Sequence, residues 1–323
     1  MHMADALVSA AVGGSFWALS GGALAGCSQR LRREEDEGRV PLMGVLGAFV
    51  FAVQMVNFAI PGTGSSGHLV GTLLLSALLG PPAAVLVMGS VLLVQALFFA
   101  DGGLLAFGCN LFNMGILPAF VAYPLVFRPL DRRGHPAAGA ILGAVVALLL
   151  GALAVVLETR LSGLAALPFR PFLLAMLPIH LPIGLVEGFA TALLLRFARR
   201  ARPGLLAERP EPAGRRLLAL VLGAAVLTAG ALSWAASSRP DGLEWSLARV
   251  APVGTAAPAG FVHRLAARIQ GQTGVLPDYT LPGTAPGTAA QRGGTSLSGL
   301  LGGAATLVLV AGAGWLAARR RGV

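Results

Sequence analysis

Long apolar runs alternate with short polar or arginine-rich segments along almost the whole chain. A helix needs about 20 mostly apolar residues to cross the hydrocarbon core of a bilayer. Nine runs are candidate spans: residues 5–26, 41–60, 68–79, 81–100, 109–127, 136–157, 171–196, 217–236 and 296–317. The third run is too short to cross upright, so we expect a tilted or partly buried helix there. The pattern predicts an all-α, polytopic transmembrane bundle of about seven helices, followed by a C-terminal unit of two helices.

Composition agrees with a multi-pass membrane protein, because 55% of the residues are hydrophobic, 12% are charged and the mean hydropathy is +0.76. All 24 basic residues are arginines. Seventeen of them lie in the segments that nine spans place on one side of the membrane, residues 27–40, 128–135, 196–216 and 318–323. The positive-inside rule predicts an N-terminus outside and a C-terminus in the cytosol. The net charge of +10 then reflects topology, and we expect no nucleic-acid partner, because no aromatic residues are interleaved with the arginines.

The chain divides into two hydrophobic units. Residues 1–200 hold seven spans with short connections, and residues 201–216 are rich in proline and arginine, as a cytoplasmic linker would be. Residues 217–323 hold two spans joined by an extracytoplasmic segment, residues 237–295, which we expect to be mostly irregular. Cys27 and Cys109 fall near opposite faces in this topology, so no disulfide is expected. The "LAGC" at 24–27 resembles a lipoprotein cleavage box, but the first residues carry Asp5 and the basic cluster follows the apolar run, which favours a retained helix.

The second residue is a histidine, and its position gives it unusual ligand chemistry. If Met1 is kept, its amine, the amide nitrogen of His2 and the His2 imidazole can form fused chelate rings around one ion. Met1 is expected to stay, since a bulky second residue opposes its removal. His68 lies on the same side of the membrane, because two spans return the chain to the side where it started. Its imidazole would complete a planar set of four nitrogens, which favours Ni(II) or Cu(II). Taken singly, His2 is also compatible with a disordered terminus and His68 with a helix-start residue.

Polar residues inside spans are costly in lipid and mark either function or helix contacts. We single out six in predicted spans: Gln54, Asn57, Asn110, Asn113, His180 and Glu187. His180 and Glu187 share a helix face and could line a path or bond to neighbouring helices. Asp101 follows the fourth span, where it could cap the next turn or support the metal loop. We interpret His135 as a solvated loop residue and do not expect His263 to bind metal.

Four stretches in order resemble the substrate-binding membrane subunit of nickel and cobalt energy-coupling-factor (ECF) transporters, the NikM/CbiM family. They are "MHMAD" at 1–5, "NFAIPGTGSSGHLVG" at 57–71, "FFADGGLLAFGCNLFNMG" at 98–115 and "PIHLPIGLVEGFATA" at 178–192. "SRPDGLEWS" at 238–246 and "LPDY" at 276–279 resemble the small PDGLE-type (NikN-like) accessory subunit of nickel transporters, here fused into the same chain.

The resemblance implies a metal site formed by Met1, His2 and His68, and no catalytic residues. We expect support for these ligands from five residues: Asp5, Asn57, Ser66, Asp101 and Asn110. The substrate implied is Ni²⁺, with Co²⁺ as the alternative, and no organic cofactor. The partners implied are a transmembrane coupling subunit (the T component) and a pair of ATP-binding subunits, which would supply energy for import across the cell membrane.

Three other readings remain open. The chain could be an autonomous secondary carrier of metal ions that works through His180 and Glu187. It could be an intramembrane serine protease, because "GSSGH" places two serines beside His68, although neighbours in one loop rarely have nucleophile–base geometry. It could also be a structural membrane protein without a ligand.

Overall fold

The computed structural model describes residues 1–34, 39–164, 167–201, 214–250, 260–284 and 288–319. These residues are mostly helical, with two short strands, which confirms the predicted all-α class. The helices are α1 (Ala10–Glu34), α2 (Arg39–Gln54), α3 (Thr72–Leu79), α4 (Pro81–Phe98), α5 (Phe107–Arg132), α6 (Pro136–Ser162), α7 (Phe169–Ala201), α8 (Arg215–Gly230), α9 (Gly242–Val250), α10 (Phe261–Thr273) and α11 (Ala289–Arg319).

Six of these helices are long and apolar enough to cross a membrane: α1, α4, α5, α6, α7 and α11. With 61% of its apolar stretch buried, α4 is the most enclosed of the six and stands at the centre of the bundle. The two cysteines, Cys27 and Cys109, are both buried and free. Residues 202–213, most of the predicted linker, lie outside the described residues.

Two of the predicted spans need correction in detail. The expected short, partly buried helix in the run at 68–79 is present, but it covers only Thr72–Leu79, the eight residues of α3, which joins α4 at Gly80. The run at 41–60 is wrong at its end, because α2 stops at Gln54. The following residues leave the helix to form β1 (Phe58–Ala59), which pairs antiparallel with β2 (Ser66–Gly67).

We call residues 58–71 the hairpin loop. Its turn contains Gly62 and Gly64 at φ +76° and +79°, which non-glycine residues rarely adopt. Ile60 is buried in the core and Phe58 packs against it, and hydropathy alone does not distinguish such contacts with protein from a membrane span.

The C-terminal unit is anchored by α8 and α11, which pack against each other and against α2. The prediction that residues 237–295 are mostly irregular is wrong for the described part of that segment. It contains α9 and α10, and both lie against the N-terminal unit, α9 on α7 and α10 on α4. The many prolines and glycines of this segment led to the irregular prediction, because they stand between the two short helices and on either side of them.

Candidate metal centre

The first eight residues are folded into the protein and do not extend from it. Met1 and Met3 are buried, and a short 3-10 turn, Asp5–Leu7, precedes α1. The side chain of Asn110 makes two hydrogen bonds to the backbone of Met3. Its Oδ1 accepts from the Met3 amide at 2.7 Å, and its Nδ2 donates to the Met3 carbonyl at 3.1 Å. Asp5 Oδ1 accepts from the backbone N–H of Ala106 at 2.9 Å. The predicted supporting residues Asp5 and Asn110 thus fix the path of the N-terminal segment.

Gly103 is the place where this segment approaches the loop after α4 most closely. Its N–H donates to the Met3 carbonyl at 2.8 Å, and a Cβ atom there would lie 1.8 Å from Asp5 Oδ1 and 2.4 Å from the Asp5 backbone nitrogen. Gly103→Ala is therefore expected to displace residues 1–5. If the predicted site binds Ni²⁺, its affinity in the purified chain, measured by equilibrium dialysis, should fall about 10-fold or more. Gly14→Ala, which would meet nothing within 4 Å, should leave binding unchanged. Equal affinity of the two variants would contradict this.

A chain of hydrogen bonds determines which ring nitrogen of His2 carries the proton. Gln54 Nε2 donates to the Val70 carbonyl at 2.7 Å, and Gln54 Oε1 accepts from Gln95 Nε2 at 2.8 Å. The remaining amide atom of Gln95 is its oxygen, which lies 3.1 Å from His2 Nε2. Because an amide oxygen can only accept, His2 Nε2 carries the proton and Nδ1 keeps its lone pair. Nδ1 is the nitrogen that closes a six-membered chelate ring with the amide of His2 itself.

In His68 the other ring nitrogen, Nδ1, carries the proton. Its Nδ1 lies 3.2 Å from the Leu69 carbonyl oxygen, so Nδ1 donates and Nε2 keeps the lone pair. That Nε2 atom is buried and has no hydrogen-bond partner among the described residues. Metal-binding histidines usually donate their second N–H to a carbonyl or carboxylate in this manner.

Both imidazoles are neutral at pH 7. Burial, with the positive charge of the terminal amine, lowers the pKa of His68 to about 3. Burial also lowers the pKa of His2, although the nearby Asp101 carboxylate partly opposes this. Neutral rings have a free lone pair to donate.

The two imidazole rings and the terminal amine lie close together. The rings of His2 and His68 are stacked at 5.1 Å between centroids, with an interplanar angle of 24°. Metal–imidazole bonds are about 2 Å long, so rings at this separation can share one ion. Met1 and His68 line the same small cavity together with Asp241 and His180. The site thus brings together Met1, His2 and His68, the three residues that the sequence predicts as ligands.

The terminal amine is held by a residue that sequence reasoning missed. The Met1 ammonium donates to Asp241 Oδ2 at 2.9 Å, and both groups are largely buried. Burial by itself raises the pKa of the Asp241 carboxyl, but the ammonium and the bond from the Glu244 amide outweigh burial and hold that pKa well below its usual range. Asp241 is therefore charged at pH 7. Its position in "PDGLE", 240 residues from Met1, gave no sequence signal of this contact.

The other predicted supporting residues have different surroundings. Asp101 Oδ1 lies 3.4 Å from His2 Nδ1, and its Oδ2 accepts from the hydroxyl of Tyr279. Ser66 donates from Oγ to the Arg239 carbonyl at 2.7 Å. The Asn57 carbonyl accepts from the Ser237 amide at 2.7 Å, while its side-chain oxygen has no hydrogen-bond partner among the described residues. Ser66 and Asn57 thus bind the C-terminal unit, and Asp101 is adjacent to a predicted ligand.

His180 and Glu187 do not form a continuous polar pair. The Glu187 carboxylate accepts from the amides of Val70 and Gly71 at 2.8 and 3.0 Å, which fixes the end of the hairpin loop. His180 Nδ1 lies 2.7 Å from the carbonyl of Met176, one turn earlier in α7. Gln95 is a second residue that the sequence analysis missed, although a lone glutamine in the apolar stretch "VLLVQALFF" was a signal.

The remaining histidines and serines give no alternative centre. His135 is exposed, and His263 Nε2 lies 2.9 Å from the Val8 carbonyl oxygen. The hydroxyls of Ser65 and Ser66 donate to backbone carbonyls and not to His68, so the pairing that a serine protease requires is not present in the hairpin loop. Among the described residues, no three His, Cys, Asp or Glu side chains are arranged to hold a metal ion. The donor set that the sequence predicts for this site is different in kind, since it consists of a terminal amine, a backbone amide and two imidazoles.

Comparison with known proteins identifies two family regions. The family described as the cobalt uptake substrate-specific transmembrane region matches residues 2–205, and the PDGLE domain matches residues 215–319. The chain is 33% identical to a protein of Archaeoglobus fulgidus named as a fused nickel transport protein, over 96% of both chains. It is 32% identical to the fused nickel transport protein NikMN of Rhodobacter capsulatus, over 78% of this chain and 80% of that one.

Two further similarities concern the N-terminal unit. The cobalt transport protein CbiM of Sorangium cellulosum is 37% identical over 55% of this chain and 80% of its own length. The crystal structure of a truncated transition metal transporter superimposes with a TM-score of 0.56 at 29% identity, covering 62% of this chain and 99% of that one. The predicted resemblance to this family and to the PDGLE proteins is thereby confirmed.

Proposed function

The chain belongs to the family of the cobalt uptake substrate-specific transmembrane region, with a PDGLE domain fused behind it, and from this premise we propose that it captures nickel for import. One Ni²⁺ ion, or Co²⁺ as the alternative, binds as substrate to the amine of Met1, the amide and imidazole of His2, and Nε2 of His68. The observation that carries this proposal is that the imidazole rings of His2 and His68 lie 5.1 Å apart beside a buried terminal amine, with Nε2 of His68 unpartnered among the described residues.

The donor set favours nickel over cobalt. Planar ligation by four nitrogens, one of them a deprotonated backbone amide, is typical of Ni(II) or Cu(II), and a given nitrogen site generally binds Ni²⁺ more tightly than Co²⁺. The names of the relatives include both nickel and cobalt proteins, so the preference rests on the ligands. Asp5 and Asn110 hold the N-terminal segment in place, Gln95 orients the imidazole of His2, and Glu187 fixes the hairpin loop.

Capture takes place on the extracytoplasmic face. The arginine-rich ends of α5 and α7 lie together, joined by the ion pair of Asp131 and Arg199, at the ends of these helices away from the site. With arginine-rich loops in the cytosol, the N-terminus and the site face outward. Import then depends on the T component and the ATP-binding subunits of an ECF transporter, which are separate chains. This chain supplies substrate recognition and no catalytic group.

Metal analysis of the purified full-length chain tests the proposal. We expect one nickel ion per chain after dialysis against Ni²⁺, a weaker retention of Co²⁺, and the visible spectrum of square-planar Ni(II). In proteoliposomes, uptake should require the coupling and ATP-binding subunits. Uptake by this chain alone would support the autonomous carrier, and a chain that binds no metal would refute the proposal.

A further inference from the structure

The carboxylate of Asp241 is shared between two parts of the protein. Its Oδ1 accepts from the backbone N–H of Glu244 at 2.8 Å, and the Asp241 N–H donates to Glu244 Oε2 at 3.1 Å. This reciprocal pair is a capping box, which satisfies the free amides at the start of α9. The second oxygen, Oδ2, accepts from the Met1 ammonium at 2.9 Å. Oδ1 thus caps the first turn of α9 in the C-terminal unit, and Oδ2 binds the terminal amine of Met1 in the N-terminal unit.

The segment that carries Asp241 is fastened to the hairpin loop and its neighbour Asn57. Four hydrogen bonds of 2.7–2.8 Å join them, from Ser66 N to Pro240 O, from Ser66 Oγ to Arg239 O, from Ser237 N to Asn57 O and from Trp245 Nε1 to Thr63 O. Gly242 follows Asp241 so close to His180 that a Cβ atom would lie 3.0 Å from its ring carbon Cε1. The backbone therefore fixes Asp241 in position beside the predicted ligands.

We infer that Asp241 is a positioning residue for metal capture: it holds the amine of Met1 at its coordination position before the ion arrives and balances the charge of the bound ion. The inference rests on the proposed metal site. When the amine coordinates, one of its three protons passes to water, and the two that remain can still donate to Oδ2. A divalent ion with one deprotonated amide leaves a net charge of +1 in a buried site, which is costly unless a countercharge lies beside it.

The expected loss of nickel affinity can be estimated from the role of Asp241, which keeps the amine of Met1 ordered. The first residues of a chain are poorly ordered unless they are tied down. Without an acceptor at Oδ2, the amine would have to be ordered during binding. Loss of a partner that orients a metal ligand typically costs 10- to 100-fold in affinity. We therefore expect nickel affinity to fall within that range when Oδ2 alone is removed.

Asp241→Asn and Asp241→Ser make this change with little effect on the helix. Asn and Ser cap helices about as well as Asp, so the bond to the Glu244 amide can be kept while the acceptor for the amine is lost. In the full-length chain, both variants should bind Ni²⁺ about 10- to 100-fold more weakly, measured by isothermal titration. At saturation, the visible spectrum should match that of the unchanged protein, because the four nitrogen donors are the same.

Asp278→Asn is the matched control, since it removes an exposed carboxylate from the same unit. Asn also tolerates the positive φ of 51° at this position. Nickel affinity should not change. Unchanged affinity of Asp241→Asn, an equal loss in Asp278→Asn, or a shifted spectrum at saturation would each overturn the inference; a shifted spectrum would make Asp241 itself a ligand. Failure of the unchanged protein to bind nickel would instead refute the proposed function.

Discussion

Adding Ser-Gly in front of Met1 is expected to abolish nickel binding while every side chain of the protein is retained. The terminal amine would move two residues away from His2, and both fused chelate rings that include it would be lost. Met1 is buried and its amine is bonded to Asp241, so the added residues would also break that ion pair. The loss should exceed the 10- to 100-fold that follows from removing a partner outside the donor set.

The extension has to be two residues long. A single added residue would make the histidine the third residue, where the amine, two amides and the imidazole form a planar set without His68. The matched control carries Ser-Gly after Val323 and should bind one nickel ion per chain. Mass spectrometry of each purified chain identifies its first residue, and bound nickel is measured by elemental analysis. Full binding by the N-terminally extended chain would exclude the amine as a ligand.

Hydrophobic pattern predicted much of the fold because a bilayer leaves few alternatives. No water is present in the hydrocarbon core to satisfy backbone groups, so long apolar runs become helices. The pattern failed where apolar sequence is buried by protein and not by lipid. This is why the run at 41–60 continues past Gln54 into a β-hairpin. It failed again in the C-terminal unit, where "DGLE" is a capping-box sequence and begins α9.

The candidate ligands were predictable and their supporting residues were only partly so. Counting spans was sufficient to place His2 and His68 on one side, and the structure stacks their rings. Gln95 could have been noticed as a polar residue in an apolar helix. Its contact with His2, however, depends on the hydrogen bond between Gln95 and Gln54, which the sequence does not reveal. Asp241 could not be assigned, because its contact depends on how two separately predicted units pack together.

His68→Ala is expected to remove the fourth donor and, with it, most of the stabilisation that nickel gives the protein. His68 Nε2 makes no hydrogen bond among the described residues, so the metal-free variant loses little polar bonding. A ligand at 100 times its dissociation constant stabilises the folded state by about 2.7 kcal/mol. The unchanged protein should therefore melt at a higher temperature when nickel is added, and His68→Ala should melt at nearly the same temperature with and without it.

This comparison separates a ligand from a structural histidine. A residue that merely supports the hairpin loop would lower the melting temperature of the metal-free protein and leave the response to nickel intact. His135→Ala is the control, because His135 is exposed and remote in sequence from every predicted ligand; it should respond to nickel as the unchanged protein does. If His68→Ala keeps the full nickel-dependent rise in melting temperature, the fourth donor is not Nε2 of His68, and the planar four-nitrogen site has to be abandoned.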